Sequence, residues 1–308
     1  MAIDYLRRYL NVRWLRPENV MWRTVSSRAM SDFEYEEPSL DLGCGDGITS
    51  FIRAGGDFET SFDIFTGVGN LDEFFEDEDI YDAAPDTYDP DISQRPNYSI
   101  SVGLDHKQAL LDKAAKLDFY DELLQHDNNE PLPFDDGEFR TIFSNAVYWV
   151  ENVDLHLEEI SRVLDDSGEA LLVLRTPHVH QFLDYLHARE DVLGEEFVDM
   201  IDRGRSEHYP SLHTEEGWDR KLEAAGLEIS EKRSVISTTH AGIWDVGLRP
   251  ISPLTIKMAN ALGNSQRRKI KSEWIDLWEE LLEPLCEPMF ELERDDPAAE
   301  ILYFVTPQ

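Results

Sequence analysis

Short apolar runs alternate with amphipathic segments along most of the chain. Five runs have the length and composition of buried strands, and they cover Ser39–Leu42, Ser99–Leu104, Asp121–Gln125, Phe139–Ser144 and Glu169–Leu174. Helical spacing of apolar residues predicts helices over His106–Leu117, Leu155–Leu164 and Trp218–Ala225. Two later strands are predicted at Leu227–Ser237 and Ile301–Thr306. This alternation predicts an α/β fold whose mostly parallel sheet has helices on both faces.

Three stretches depart from the alternation. Residues 1–38 have apolar residues at roughly helical spacing, with Pro17 where a helix could begin. Residues 55–97 are irregular, acidic and rich in Gly, Pro and Asp. They are too long for an ordinary connection, so we expect an insertion there. Residues 243–297 contain helical patterns, which run from Leu254 to Leu262 and from Lys271 to Leu285.

Charge is the unusual feature of the composition. The chain has 28 Lys and Arg against 64 Asp and Glu, a formal net charge of −36, and the acidic residues are spread along its length. Repulsion between the acidic residues strains a compact state in dilute buffer. In molar salt the Debye length is only about 3 Å, so this repulsion is largely screened. We therefore expect a protein adapted to concentrated intracellular salt. The alternative, an acidic protein with a basic partner, predicts acid concentrated on one face.

The same charge disfavours several classes of partner. Phosphate backbones and anionic membrane surfaces require basic tracks, so neither nucleic acid nor a membrane is expected. No apolar run approaches the ~20 residues of a membrane span, and the N-terminus has no apolar core of a signal peptide. Cys44 and Cys286 form neither a disulfide framework nor a metal motif. We expect a cytoplasmic protein without a metal, and its oligomeric state is open.

The first predicted strand ends in a glycine-rich turn. Glycines stand at 43, 45 and 47, directly before a predicted helix, and glycine lets a backbone turn tightly and a ligand approach closely. A dinucleotide fingerprint would space its glycines G-x-G-x-x-G, but here the third glycine comes one residue early. Asp41 would repel a pyrophosphate, but it could accept hydrogen bonds from a ligand ammonium.

This segment, Leu40 to Gly47, resembles motif I of the class I methyltransferases, in the group called type 11. The resemblance implies S-adenosylmethionine as cofactor, which carries an ammonium and a sulfonium and no phosphate. It also implies cofactor contacts at Asp41, Gly43 and Gly45. The family architecture that it implies is a Rossmann-like sheet of seven strands, mostly parallel, with a last antiparallel strand at the C-terminus.

Later segments resemble the family in the same order. Asp105, which ends Val102-Gly103-Leu104-Asp105, matches the acid that holds the ribose hydroxyls. Asp127, with its neighbour Asn128, matches the residue that faces the adenine amino group, and Asn145 follows the fourth-strand motif. Asp105 lies 64 positions beyond Asp41, farther than the family usually places it. Two alternatives therefore remain: Asp63 as the ribose acid, and Asp105 as the N-cap of a helix.

The resemblance also implies a division of the chain. We expect an N-terminal helical segment at 1–38 and a methyltransferase core at 39–242, with the insertion at 55–97. Residues 243–297 are then a helical lid or substrate wall, and 298–308 supply the last core strand.

The predicted reaction is methyl transfer to a small-molecule or glycan acceptor, with a hydroxyl as the expected site. A hydroxyl needs a general base, and His178, after the fifth strand, is the first choice, although a packing role is the simpler interpretation. His180, His208 and His213 are weaker candidates, and Tyr148 and Trp149 could line the methyl site. Two other functions stay open: a non-catalytic scaffold that binds S-adenosylmethionine, and an NAD-type oxidoreductase.

Overall fold

A computed structural model describes residues 4–66, 68, 88–203, 205, 209–286 and 297–308 of the chain. Two strands form a separate antiparallel pair within the predicted insertion, β2 (Asp57–Phe58) and β3 (Ile92–Gln94). The other strands of the described residues build one seven-stranded sheet: β1 (Ser39–Leu42), β4 (Ile100–Asp105), β5 (Tyr120–Gln125), β6 (Phe139–Ser144), β7 (Leu164–Arg175), β8 (Leu227–Ser237) and β9 (Ala298–Pro307).

The strand order in this sheet is β5-β4-β1-β6-β7-β9-β8. β1 pairs in parallel with both β4 and β6, β4 with β5, and β6 with β7. β9 runs antiparallel to its two neighbours, β7 and β8. The predicted Rossmann-like sheet with a C-terminal antiparallel strand is therefore confirmed. The chain leaves β1 toward β4 on one side and returns to β6 on the other, so the strand order reverses between β1 and β6, where such sheets bind ligands.

Helices cover both faces of the sheet. Their bounds are α1 (Tyr5–Arg13), α2 (Pro17–Ala29), α3 (Ile48–Arg53), α4 (Gln108–Ala114), α5 (Val153–Val163), α6 (Gln181–His187), α7 (Glu190–Leu193), α8 (Glu195–Asp202), α9 (Glu215–Ala224), α10 (Thr238–Val246), α11 (Ser252–Asn260) and α12 (Asn264–Leu282). Short 3-10 turns lie at Ala115–Leu117, Val147–Trp149, Pro177–His180, Arg249–Ile251 and Glu283–Leu285. Among the described residues, no helix is both long and apolar enough to cross a membrane.

Alternate residues of β7 divide the core into two layers, because successive strand side chains point to opposite faces. Leu171 and Val173 join a cluster that contains the apolar faces of α1, α2 and α3. Ala170, Leu172 and Leu174 join a second cluster that contains residues of α5 and α9. This two-sided burial explains why the central strands are continuous apolar runs.

The residues between the predicted helix Leu155–Leu164 and the predicted strand Glu169–Leu174 are in fact the beginning of β7. The strand starts at Leu164 and runs through Asp166, Ser167 and Gly168. A Cβ at Gly168 would lie 2.8 Å from the carbonyl oxygen of Arg140. The glycine therefore allows the close approach of the neighbouring backbone of β6, a role that local turn propensity did not reveal.

The predicted helical excursion packs partly against the N-terminal helices. The predicted helices at 254–262 and 271–285 correspond to α11 and to the second half of α12. Trp274 Nε1 in α12 donates a hydrogen bond to Trp14 O at 2.7 Å, and Arg28 in α2 contacts Glu283 at 2.9 Å. A role of these helices as a lid or wall stays a prediction, as do the boundaries of the insertion, part of which lies outside the described residues.

Candidate functional site

The turn after β1, residues 43–47, is the centre of the candidate site and is called the glycine turn here. Its three glycines all have positive φ angles, 83° at Gly43, 58° at Gly45 and 72° at Gly47. The N–H groups of Gly43 and Cys44 both donate to Leu104 O, at 2.8 and 2.9 Å. The turn is therefore anchored to the end of β4 through its own backbone.

The three glycines differ in what a side chain would meet. A Cβ at Gly43 would lie 2.4 Å from the Cβ of Ala146, and one at Gly47 would lie 2.9 Å from Tyr120 Cε2. A Cβ at Gly45 would meet no atom within 4 Å. Gly43 and Gly47 thus let the turn pack against neighbouring segments. Gly45 borders open space, and a side chain there would fill it.

Asp105 lies beside that open space, at the end of β4. Its Oδ2 accepts a hydrogen bond from Gly45 N at 2.9 Å, and its Oδ1 accepts one from Lys107 N at 2.9 Å. Helix α4 has Lys107, not Asp105, at its N-cap position, so the N-cap alternative is wrong. The structure brings Asp105 and Gly45 into direct contact, and the role of Asp105 as the ribose acid stays a prediction.

Asp63, the alternative ribose acid, has a different partner. Its carboxylate accepts hydrogen bonds from Arg267 Nη2 and Nε at 3.0 and 3.2 Å, and only 6% of the residue is exposed. It lies in a turn that follows β2, not at the end of a strand of the central sheet.

Asp41 is buried within the protein, with 1% of its surface exposed. Its Oδ2 accepts hydrogen bonds from Ser50 Oγ at 2.6 Å and from Tyr120 OH at 2.7 Å. Burial raises the pKa of this carboxyl above its ordinary value. Asp41 therefore ties β1 to α3 and β5, a structural role that the sequence analysis did not foresee. Its contact with a ligand ammonium stays a prediction.

Residues after β5 and β6 border the glycine turn. Asn128 Nδ2 lies 4.0 Å from the position of a Cβ at Gly43, and Asn128 Oδ1 is buried without a hydrogen-bond partner. Asp127 is exposed and accepts hydrogen bonds from the backbone N and the Nδ2 of Asn129, both at 2.9 Å. These bonds lower the pKa of the Asp127 carboxyl. Asn145 Oδ1 accepts a hydrogen bond from Tyr148 OH at 3.2 Å.

His156 in α5 is a site residue that the sequence analysis missed. It is 1% exposed and faces the backbone of Asn128, and neither ring nitrogen forms a well-aligned hydrogen bond with the described residues. Burial lowers the pKa of His156 to about 4, so the ring is neutral at pH 7. A signal was present in the sequence, because Val153, His156, Leu157 and Ile160 recur at the spacing of one helix face.

Aromatic rings gather beyond the ends of β6 and β7, and we call Tyr148, Trp149, His180 and Tyr209 the aromatic cluster. The ring centroids of Trp149 and Tyr209 are 4.9 Å apart, and those of Tyr148 and Tyr209 are 5.4 Å apart. His180 stacks on Tyr209 at 5.5 Å with an interplanar angle of 17°. Trp149 is 42% exposed, so the cluster has a face that a ligand can reach.

Arg175, the last residue of β7, lies beneath this cluster. Its guanidinium carbon is 4.1 Å from the ring centroid of Tyr148, and its Nη1 donates to Tyr209 OH at 2.5 Å. Its Nε lies 3.3 Å from Glu300 Oε2, in β9. Glu300 also accepts hydrogen bonds from Trp22 Nε1 at 2.8 Å and Ser26 Oγ at 2.6 Å. A buried charge pair therefore holds the cluster to the sheet and to α2.

The candidate histidines fall in different places. His178 is half-buried, its backbone N–H donates to Thr176 Oγ1 at 3.3 Å, and its ring makes no hydrogen bond with the described residues. Burial lowers the pKa of His180 to about 4, and its Nε2 is buried without a partner. His213 packs edge-on against Trp218 at 4.7 Å, apart from the aromatic cluster. His208 lies outside the described residues.

In the part of the chain that the structure describes, no group of three or more His, Cys, Asp or Glu residues is arranged to hold a metal ion.

Residues 91–172 match the methyltransferase-domain family of type 11, a segment that contains β3 to β6 and most of β7. No curated protein matches the sequence.

Several solved structures are similar over nearly the whole chain, but distantly. A SAM-dependent methyltransferase of Thermotoga maritima shares 13% identity, with 96% of this chain and 93% of that chain covered and a TM-score of 0.46. The partner of the Trm112 methyltransferase activator in a Haloferax volcanii complex shares 14% identity, with 100% and 99% covered and a TM-score of 0.47. Geranyl diphosphate C-methyltransferase of Streptomyces coelicolor, in complex with S-adenosyl-L-homocysteine, shares 13%, with 92% and 79% covered and a TM-score of 0.43. These likenesses are too distant for any argument to rest on them.

Proposed function

Because this chain carries a class I S-adenosylmethionine-dependent methyltransferase domain, we propose that it methylates a hydroxyl group of a small-molecule or glycan acceptor. The observation that carries the proposal is the pairing of two surfaces at one edge of the sheet. The open space at Gly45, beside Asp105, suits the cofactor. The exposed face of the aromatic cluster suits the acceptor.

The residues around the glycine turn fit S-adenosylmethionine. The space that a Cβ at Gly45 would fill lets the ligand approach the backbone. Each oxygen of Asp105 accepts one backbone N–H and keeps capacity for another donor, such as a ribose hydroxyl. Asn128 has an unsatisfied buried oxygen beside the turn. We propose that the cofactor is bound by Asp41, Gly43, Gly45, Asp105, Asp127, Asn128 and Asn145.

The aromatic cluster supports an acceptor with apolar faces and hydroxyl edges. Exposed rings such as Trp149 can stack on the C–H face of a sugar, and Tyr148 and Tyr209 add polar tips to apolar rings. The net charge of −36 disfavours a polyanionic acceptor. A small polyhydroxylated molecule or a glycan therefore suits this surface better than a nucleic acid does.

The start of the predicted excursion lies near this surface. α10 packs against α6 and against the turn at Pro177–His180. Trp244 in α10 packs edge-on against Trp22 at 6.1 Å, and Trp22 in turn borders Arg175 at 4.8 Å. These contacts support the proposal that the helices of 243–297 form part of a substrate wall, which excludes water from the reacting groups.

Methyl transfer to a hydroxyl requires alignment of the acceptor oxygen with the methyl group and one group that accepts the hydroxyl proton. The cofactor supplies a methyl group already activated on a sulfonium, so the protein contributes orientation and desolvation. We propose that a ring nitrogen of His178 accepts the proton of the acceptor hydroxyl. His180 lies within the aromatic cluster, but its pKa of about 4 makes it a weak base at pH 7.

The test is turnover of S-adenosylmethionine by the full chain in molar KCl, with panels of sugars, glycosides and phenols as acceptors. We expect acceptor-dependent formation of S-adenosylhomocysteine and a methylated hydroxyl product. His178→Ala should lower kcat by about 10²–10⁴-fold without weakening cofactor binding, and His180→Ala should change kcat much less. Methylation at nitrogen or carbon, or an unchanged kcat in His178→Ala, would contradict the proposal.

The charge also supports the proposed adaptation to salt. With 64 acidic residues and eight lysines, the folded chain repels itself in dilute buffer, and salt weakens that repulsion. We propose that the protein works in a concentrated salt solution within the cell.

A further inference from the structure

A cavity of about 140 Å³ lies between the turn that follows β2 and the first turns of α12. Thr60, Ser61, Asp63 and Thr66 line one side, and Asn264, Arg267, Arg268 and Lys271 line the other. None of these residues belongs to the glycine turn or to the aromatic cluster. The cavity is therefore separate in its residues from the proposed methyl-transfer site.

Positive charge is concentrated here against the trend of the whole chain. Residues 264–272 contain four of the chain's 28 Lys and Arg residues and no acidic residue, although acidic residues outnumber basic ones 64 to 28 overall. A solvated helix face in this protein would be expected to carry acid. The local reversal indicates that the basic side chains serve a specific purpose at this position.

The cavity lining carries three cations against one carboxylate, that of Asp63. Arg267 forms a bidentate ion pair with Asp63, so the charges of these two residues cancel. Lys271 is 3% exposed, and its Nζ donates to the carbonyl oxygens of Thr60 at 2.9 Å and Phe62 at 2.7 Å. These carbonyls use two of its three protons. Arg268 is exposed and makes no ion pair with the described residues.

We propose that this cavity binds a small tetrahedral oxyanion of the phosphate and sulfate class. The third proton of Lys271 and the guanidinium of Arg268 supply charge-assisted hydrogen bonds. Thr60 and Thr66 line the same cavity and can add hydroxyl donors, whereas Ser61 Oγ already donates to Asp91 Oδ2 at 3.1 Å. A bound anion offsets the charge of the Lys271 ammonium, which is 3% exposed, because the one carboxylate of the lining, Asp63, is already paired with Arg267. The oxyanion is either the free ion or the phosphate group of a small ester.

The full chain is tested by calorimetric titration and by thermal unfolding in KCl of constant ionic strength. The probes are inorganic phosphate, sulfate and glycerol phosphate, each replacing an equivalent amount of chloride. We expect saturable binding and a rise in Tm with phosphate. Binding of glycerol phosphate alone would identify an ester, and binding of all three probes would identify the free anion. A wild-type protein that none of the probes stabilises, or that chloride alone saturates, would overturn the proposal.

Matched variants on one helix separate a site from a general charge effect. Arg268→Gln and Lys271→Met should weaken phosphate binding at least about tenfold, because each removes a charge-assisted contact. Lys269→Met removes the same charge from the exposed side of α12, where Lys269 only approaches Glu273 at 3.9 Å. It should leave phosphate binding unchanged. Arg268 is exposed, so its variant reports on binding even where Lys271→Met unfolds. Equal loss in Lys269→Met and Arg268→Gln, or no loss in Arg268→Gln, would contradict a built site.

Discussion

The two sides of the proposed site are held together by different means. On the cofactor side, the glycine turn is held by backbone hydrogen bonds to Leu104 and to the carboxylate of Asp105. On the acceptor side, the aromatic cluster is held by side chains around one cation, Arg175. The first arrangement depends on the absence of side chains, and the second depends on large ones. We therefore expect the two sides to respond differently to substitution.

Arg175→Met is the most disruptive change expected on the acceptor side. It leaves Glu300, which is 1% exposed, without its cation. Breaking a buried pair in this way costs about 3–5 kcal/mol of unfolding free energy. Arg233→Met is the control, because Arg233 pairs with exposed Asp32 and Glu231 and should cost at most about 1 kcal/mol. Denaturant unfolding measures both. Equal losses would mean that Arg175 does not hold the acceptor side as described.

His156 allows the corresponding experiment beneath the cofactor side. Its pKa of about 4 in the folded protein lies below its ordinary value of 6.5. Between these two pKa values the unfolded chain binds a proton at His156 and the folded chain does not. The free energy of unfolding therefore decreases as pH falls from about 6.5 to 4. At 1.36 kcal/mol per pKa unit the loss approaches about 3 kcal/mol. His156→Leu should remove this part of the pH dependence, measured as the difference between the two unfolding profiles. Parallel profiles would contradict it.

Trp149→Ala sharpens the contrast by testing function without a large cost in stability. Trp149 is 42% exposed, so its removal should leave the fold intact. We expect the KM for the acceptor to rise about tenfold, because stacking of the acceptor on an aromatic ring contributes roughly 1 kcal/mol or more. The Kd for S-adenosylmethionine should stay unchanged. Tyr185→Ala, an exposed aromatic outside the cluster, is the control. A weaker affinity for the cofactor in Trp149→Ala would place the tryptophan on the wrong side of the site.

The same contrast explains how much the sequence could predict. The glycine turn, Asp105 and Asn128 follow strands directly, and parallel strands bring their carboxyl ends to one edge, so local patterns were enough to place them together. Asp41 lies in the same motif, yet its bonds to Ser50 and Tyr120 depend on how α3 and β5 pack. The strand pattern also predicted the sheet, because burial on both faces produces apolar runs that are visible without a structure.

The aromatic cluster was only half predictable. Tyr148 and Trp149 follow β6, but Tyr209 lies 61 positions beyond Tyr148, in a stretch without a clear strand or helix pattern. Arg175 follows the predicted strand Glu169–Leu174, and nothing local shows that Glu300 faces it across β7 and β9. Long-range pairs of this kind depend on the register of the sheet, which the hydrophobic pattern specifies only in part.

The most direct test of the account is calorimetric titration of S-adenosylmethionine into the wild-type chain, Gly45→Val and Gly194→Val in molar KCl. Both glycines have positive φ, 58° and 88°, and at both a Cβ meets no atom within 4 Å. Both variants therefore strain the backbone by about 1–3 kcal/mol, and Gly194→Val controls for such strain outside the glycine turn. The account predicts low-micromolar or tighter binding by the wild type and by Gly194→Val, and none by a folded Gly45→Val. Normal binding by Gly45→Val would show that the space beside Asp105 does not hold the cofactor.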